Sequence, residues 1–140
     1  DRLLRQVEVR SLVRAHGAIS CADIMSRDVI AIGVGDSTQA ARALLLERGV
    51  RSLPVIDANG HLAGVVGLRE TNAVADRVDA VMSKAATAPA EAPAFGLVPV
   101  LTDGRTHAVV IVDSARRVLG VVTQTDLLAA LSRASALAVG

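Results

Sequence analysis

The sequence contains the same unit twice, and this duplication restricts the possible fold more than any other feature. The segment GVVGLRETNAVA, residues 64–75, begins with the same three residues as GVVTQTDLLAAL, residues 120–131. Upstream, DIMS at residues 23–26 corresponds to AVMS at residues 80–83. Two copies are too few for a solenoid, in which each repeat buries its apolar face against its neighbours. We therefore expect two similar units that pack against each other as a pair.

The first copy predicts a helix, a hairpin and a short closing helix. In GVGDSTQAARALLLERGV, either Asp36 or Ser37 is a suitable N-cap, and Gln39 would complete a capping box with Asp36. Gly49 stands where such a helix should end. The apolar runs RSLPVID and LAGVVG, joined by the turn ANG, predict two paired strands. A short helix from about Leu68 to Ala75 would close the unit.

The second copy repeats this order with a less regular first helix. Its segment APAFGLVPVLTDG contains Pro93, which the first turn of a helix tolerates, and Pro99, which a helix interior does not. The runs THAVVIVD and VLGVVT, joined by SARR, predict the second hairpin, and QTDLLAALSRA predicts the closing helix. Both copies therefore predict the same succession of elements.

The predicted fold class is α/β (α+β), with two β-α-β-β-α repeats packed as a pseudo-twofold pair. The segment RLLRQVEVRSLVRAHG has apolar residues at helical spacing and predicts a helix before the first repeat. We expect an N-terminal linker helix over residues 1–18, repeats over 19–75 and 76–135, and a tail over 136–140. The linker helix would join a preceding segment or pack on a partner.

Composition argues against several classes of function. The formal net charge is only +1 at pH 7, and Phe95 is the only aromatic residue. Without a basic patch or an aromatic stacking surface, nucleic-acid binding is not expected. No apolar run approaches the roughly 20 residues that span a bilayer, and no secretory signal opens the sequence. The single cysteine, Cys21, cannot form an internal disulfide, which suits a reducing compartment.

The most informative polar residues stand where the second hairpin leads into its closing helix. Free amides and the dipole at a helix start attract phosphate, and Thr123 occupies the expected N-cap. Three residues later, Asp126 could accept hydrogen bonds from both hydroxyls of a ribose, as acidic residues do in dinucleotide folds. Thr-x-x-Asp is also close to a capping box, in which both side chains only satisfy helix amides. The pattern alone leaves helix capping and ligand binding as alternatives.

With its doubled order of elements and the motifs DIMS, RSLPVID and GVVTQTD, the sequence resembles a pair of CBS (cystathionine β-synthase) domains. The resemblance extends from about Ile19 to Leu131, and its most specific element is G-x-x-T-x-x-D, met by Gly120, Thr123 and Asp126. It implies a regulatory module whose two copies pack through their sheets and commonly pair again as a homodimer. It also implies clefts between the copies that bind AMP, ADP, ATP or related adenosyl ligands.

Two segments also resemble the cytoplasmic C-terminal CBS pair of HPP-family bacterial membrane proteins. These segments are CADIMSRDV and LVPVLTDGRTHAVVIVDSARRVLGVVTQTDLLAAL. This narrower resemblance implies a transmembrane domain upstream in the full-length protein, which would account for a sequence that starts at Asp1. It also implies a cytoplasmic module that is tethered to the inner membrane.

The resemblance to CBS domains assigns one nucleotide site to the second copy. The ribose carboxylate of the family maps to Asp126, and the hydroxyl on the phosphate side maps to Thr123. The base would face the strand before the first helix of this copy and the turn into its central strand. The predicted ligand-binding residues are Thr87, Ala88, His107, Ala108, Val109, Gly120, Thr123 and Asp126.

The first copy departs from the motif, and the resemblance assigns it a weaker second site. Gly67 supplies no hydroxyl, so a phosphate there would depend on backbone amides and a basic neighbour such as Arg51. Glu70 keeps a carboxylate but extends it by one methylene. The second copy departs elsewhere, because Val110 stands where the first has Pro54. The residues assigned to the weaker site are Ile32, Arg51, Ser52, Leu53, Gly67 and Glu70.

Other chemistry has little support in the sequence. The three histidines, His16, His61 and His107, lack metal-ligand spacing, so we predict no metal and no cofactor besides a regulatory adenine nucleotide. No nucleophile stands in a recognisable motif, so we do not expect an enzyme. The leading hypothesis is a module that senses an adenine nucleotide and controls an attached membrane domain. The alternative is a structural module that only dimerises its host, with Thr123 and Asp126 acting as caps.

Overall fold

The structure is a computed structural model that describes residues 19–72 and 76–139, with side chains described as far as Arg133. The linker helix predicted for residues 1–18 and the predicted end of the first closing helix at Ala75 lie outside the described residues. No helix in the described part of the chain is long and apolar enough to cross a membrane.

The first copy follows the predicted order of elements, with one extra short helix in front. Its helices and strands are α1 Cys21–Ile24, β1 Ile32–Gly33, α2 Thr38–Arg48, β2 Ser52–Ile56, β3 Leu62–Gly67 and α3 Leu68–Thr71. Helix α2 begins at the N-cap Ser37, whose side chain accepts a hydrogen bond from the Ala40 amide at 3.0 Å. It ends at Gly49 in the left-handed conformation, as predicted. The predicted capping box on Asp36 was wrong, because that carboxylate instead accepts from the Gly33 amide in the preceding turn.

The second copy has the same strands but an interrupted first helix. Its elements are a 3₁₀ turn Val78–Ala80, β4 Thr87–Ala88, a 3₁₀ turn Ala94–Leu97, α4 Val98–Leu101, β5 Ala108–Val112, β6 Val118–Thr123 and α5 Gln124–Val139. Pro93 caps the second 3₁₀ turn, and Pro99 lies in the first turn of α4. Each proline thus sits where its missing amide costs little, and one long helix becomes two short ones.

Each copy forms one three-stranded sheet, and the two sheets have the same topology. The orders are β1-β2-β3 and β4-β5-β6, with a parallel first pair and an antiparallel hairpin in each. The registers are equivalent, since Ser52 pairs with Gly67 in the first sheet and Ala108 pairs with Thr123 in the second. The prediction of two matching α/β units is confirmed, and the residue before each closing helix ends a strand on the sheet edge.

The two copies are joined because the N-terminal segment of each crosses to the other. Cys21 and Met25 are buried in the core of the second copy, with Phe95, Val122 and Leu127. The second crossing is equivalent, since the core of the first copy includes the fully buried Val78 beside its own Leu45 and Leu53. The boundary between residues 75 and 76 stays a prediction. The two cores do not divide the chain at this point, because each contains residues from the N-terminal segment of the other copy.

Candidate functional site

A cleft of about 780 Å³ lies between the two copies and is lined by residues of both. Its volume is within the usual range for small-molecule sites. Equivalent residues of the two copies both line it, including Arg51 with His107 and Pro54 with Val110. We call the point where the last strand of each copy leads into its closing helix the corner of that copy. The cleft is not symmetric, because it is lined by the corner of the second copy, Thr123, Gln124, Thr125 and Asp126, and not by the equivalent residues 67–70 of the first.

The corner of the second copy is a reciprocal capping arrangement that leaves one oxygen unused. The Thr123 amide donates to Asp126 Oδ2 at 2.8 Å, and the Thr123 hydroxyl lies 3.1 Å from the same oxygen. The Asp126 amide in turn donates to Thr123 Oγ1 at 3.4 Å. Asp126 Oδ1 has no hydrogen-bond partner among residues 19–72 and 76–139. The arrangement predicted as the alternative to ligand binding is therefore present, yet it occupies only half of the carboxylate.

The corner of the first copy uses both oxygens of its carboxylate. Glu70 Oε2 accepts a hydrogen bond from the Gly67 amide at 3.0 Å, and Glu70 Oε1 accepts from the Ser83 hydroxyl at 3.3 Å. Ser83 belongs to the segment that crosses over from the second copy and pairs with Val65 of β3. The longer side chain of Glu70 thus holds the crossing segment, and neither it nor Gly67 lines the cleft.

The charged and polar groups of the cleft are two basic side chains, two carboxylates and the start of α5. Arg51 precedes β2, His107 precedes β5, and both are exposed where they line the cleft. Gln124 and Thr125 are the first residues of α5, whose opening amides have no partner within the helix. The guanidinium and the helix N-terminus favour an anionic group on a ligand, whereas the carboxylates of Asp28 and Asp126 favour hydrogen-bond donors such as hydroxyls.

The cleft contains some of the predicted site residues and leaves out others. Those that line it are His107, Ala108, Thr123, Asp126, Arg51 and Ser52. The last two had been assigned to the weaker site, so the structure brings parts of both predicted sites into one cavity. The predicted residues that lie off its wall are Thr87, Ala88, Val109, Gly120, Ile32, Leu53, Gly67 and Glu70. Of these, Ala88, Val109, Ile32 and Leu53 are buried in the two cores.

Sequence reasoning missed one wall of the cleft, which is formed by the first crossing segment. Ser26, Asp28, Val29 and Ile30 line the same cavity as the corner of the second copy, and Ser26 pairs with Val121 of β6. These residues are almost a hundred positions from Asp126, and no local pattern connects them. The match between DIMS and AVMS identified the segment as part of the repeat, but it did not indicate that the segment packs against the other copy.

The shifted pKa values in this region belong to structural groups. Burial raises the pKa of the Cys21 thiol, so it stays protonated and serves as a small core residue. The amide of Ser20 holds the pKa of Asp23 below its ordinary value within the capping box of α1. His61 lies 3.5 Å from Asp57 at a hairpin tip, away from the cleft. No group of three or more His, Cys, Asp or Glu side chains could hold a metal within the described ranges.

Comparison with solved structures supports the architecture. The CBS domain pair of protein MJ0100, in complex with 5′-methylthioadenosine and S-adenosyl-L-methionine, superposes with a TM-score of 0.73 at 22% identity. That match covers 83% of this chain and 98% of the other. CBSX2 in complex with AMP, a protein of Arabidopsis thaliana, gives a TM-score of 0.76 at 21% identity, covering 81% of this chain and 96% of the other. At these identities the likeness establishes the fold.

Sequence comparison identifies the family. An inosine-5′-monophosphate dehydrogenase of Methanocaldococcus jannaschii is 26% identical over 129 residues, which are 89% of this chain and 26% of the relative. Protein MK0525 of Methanopyrus kandleri is 38% identical over 64 residues, which are 46% of this chain and 33% of the relative. This chain thus spans about a quarter to a third of these relatives. The CBS domain family matches residues 21–70 and 78–133. The chain therefore belongs to the CBS domain family, as a tandem pair of CBS domains.

Proposed function

We propose that this CBS pair senses an adenine nucleotide, which it binds in the cleft through the corner of the second copy. The observation that carries the proposal is the carboxylate of Asp126, which faces the cavity with Oδ1 unpaired. In a carboxylate with one oxygen held by the start of the helix and the other unpaired, the unpaired oxygen is suited to accept hydrogen bonds from a ribose. The complexes of MJ0100 and CBSX2 with adenosyl ligands support this choice of ligand class.

Each part of the cleft has a role in this proposal. Asp126 binds the ribose hydroxyls, while the first amides of α5 bind the phosphate, and the Thr123 hydroxyl turns from Asp126 Oδ2 to donate to it. Arg51 supplies positive charge near the phosphate, and His107 supplies a ring N–H donor. The apolar part of the wall, which includes Val29 and Ile30, contacts the base. No aromatic side chain is required, since the purine is held between aliphatic surfaces.

Thermal unfolding with and without nucleotide tests this function. We expect AMP to raise the melting temperature in a saturable way, because a ligand that binds only the folded state stabilises it. At 100 times the dissociation constant the gain is about 2.7 kcal/mol. Guanosine monophosphate is the control for base selectivity, and a matching shift with it would contradict an adenine-specific site.

The competing function is a structural module that does not bind nucleotides. One observation favours it, namely that the capping box of Thr123 and Asp126 is complete without a ligand. This alternative predicts an unchanged melting temperature with AMP, ADP and ATP alike. A saturable shift with any of these nucleotides would exclude it.

We further propose that the module controls an attached domain and acts as a homodimer. Leu46 of α2 and Leu128 of α5 support self-association, since they are 61% and 60% exposed. The resemblance of two segments to HPP-family bacterial membrane proteins supports an upstream membrane domain, with this module in the cytoplasm. Sedimentation of the purified chain would test the dimer, and fractionation of cells that express the full-length protein would test the membrane attachment.

A further inference from the structure

Two equivalent segments tie the copies together, and only one of them reaches the cleft. We call residues 19–30 the first crossing segment and residues 76–86 the second crossing segment, which end before β1 and β4 respectively. In the first, Ser26 and Val121 exchange two backbone hydrogen bonds, of 2.9 and 3.0 Å. In the second, Ser83 and Val65 do the same, at 2.9 Å each. Residues 28–30 of the first segment line the cleft, whereas no residue of the second lines it.

Each crossing segment is docked over a glycine of the facing strand. A Cβ atom at Gly120 would lie 2.7 Å from the Ser26 carbonyl oxygen and 2.7 Å from Met25 Sδ. A Cβ atom at Gly64 would lie 2.8 Å from the Ser83 carbonyl oxygen and 2.9 Å from Met82 Sδ. Real Cβ atoms do not approach a backbone oxygen this closely, so any side chain at either position must push its crossing segment away. The glycine of the G-x-x-T-x-x-D motif is therefore required for docking.

The first crossing segment also spans the distance between the two cores. The Cys21 amide donates to the Ala92 carbonyl at 2.8 Å, and Met25 is buried in the core of the second copy. Beyond the cleft wall, Ile32 is buried in the core of the first copy. The residues between Met25 and Ile32 thus run between the two cores along the cavity that Asp126 also lines, and they are anchored at both ends.

We propose that nucleotide binding and docking of the first crossing segment are energetically coupled, with Gly120 as the positioning residue. A nucleotide in the cleft contacts residues 28–30, which keep their place only while Met25 and Ser26 are docked on the second copy. Occupancy therefore stabilises docking, and docking raises affinity by the same factor. This inference rests on the proposed nucleotide site.

The matched glycines provide the test. Gly120→Ala and Gly64→Ala both place a methyl group against a crossing segment, and both are expected to lower the melting temperature. Only Gly120→Ala displaces a crossing segment that lines the cleft, so we expect it to weaken AMP binding about tenfold, which corresponds to about 1.4 kcal/mol. We expect a smaller loss, within about threefold, for Gly64→Ala, because its crossing segment does not line the cleft and only the neighbouring Val65 does. Titration calorimetry with AMP measures both.

Hydrogen exchange of the wild-type chain gives a readout without any substitution. AMP is expected to slow amide exchange in peptides of the first crossing segment more than in peptides of the second. If AMP binds but protects both segments equally, or if both alanine variants lose affinity equally, the coupling is refuted while the nucleotide site stands. If AMP does not bind the wild type, the nucleotide site and the coupling fail together.

Discussion

Replacing Asp126 by alanine is expected to weaken AMP binding roughly 10- to 100-fold. The carboxylate lines the cleft with Oδ1 unpaired, so in the complex it can accept hydrogen bonds from the ribose. Each hydrogen bond to a charged group contributes about 1.5–3 kcal/mol. The loss of one such bond already corresponds to about a factor of ten. Titration calorimetry of the variant against the wild type measures the change directly.

Two further variants separate ribose binding from helix capping. Asp126→Asn keeps an oxygen that can accept from the Thr123 amide, but it replaces the free oxygen with an amide donor. We expect this variant to fold with near wild-type stability and still lose affinity. Glu70→Ala removes the equivalent carboxylate of the first copy, whose two oxygens are engaged by Gly67 and Ser83. It should lower stability and leave AMP affinity unchanged. Equal affinity in Asp126→Ala and the wild type would rule out the assigned site.

Restoring the motif in the first copy is expected to destabilise the protein and to create no second site. In Gly67→Thr the new Cβ would lie 2.9 Å from the Arg51 carbonyl oxygen and 3.3 Å from Glu70 Oε2. The first of these atoms is backbone, so strand β2 or β3 must shift. Overpacking of this kind costs about 1–3 kcal/mol. Chemical denaturation of the variant and the wild type measures the loss.

A matched control for this substitution is Gly96→Thr. A Cβ at Gly96 would meet no atom within 4 Å, and its backbone does not require glycine. We expect a change within about 0.5 kcal/mol, as for most surface substitutions. A stable Gly67→Thr protein that binds a second AMP would show that the first corner lacks only a hydroxyl, contrary to the geometry at Arg51.

The sequence predicted the repeat and its elements because their signals are local. Asn59–Gly60 marked one hairpin turn, and Gly60 indeed has a positive φ of 82°. Pro93 and Pro99 correctly indicated an irregular helix in the second copy. Gly49 ended helix α2 where expected. Each of these residues acts on its own backbone, so no knowledge of distant contacts was needed.

The site could be predicted only in part, because it depends on contacts between distant segments. Asp126 and Thr123 were found through a motif within one corner. Another part of the wall comes from Val29 and Ile30, whose place depends on the pairing between Ser26 and Val121. No local pattern specifies the register of that pairing. Thr87 was expected on the wall from the resemblance to CBS domains, but it lies in β4, where it pairs with Val110, and it does not line the cleft.

In our proposal the two corners are unequal, and only the corner of the second copy binds nucleotide. Asp126 keeps an oxygen free in the cleft, whereas Glu70 uses both of its oxygens within the fold. Titration calorimetry of the wild-type chain with AMP tests this most directly, because it gives the number of sites as well as the affinity. The expected result is one AMP bound per chain. Two AMP per chain would contradict the inequality of the corners, and no binding would contradict the nucleotide site itself.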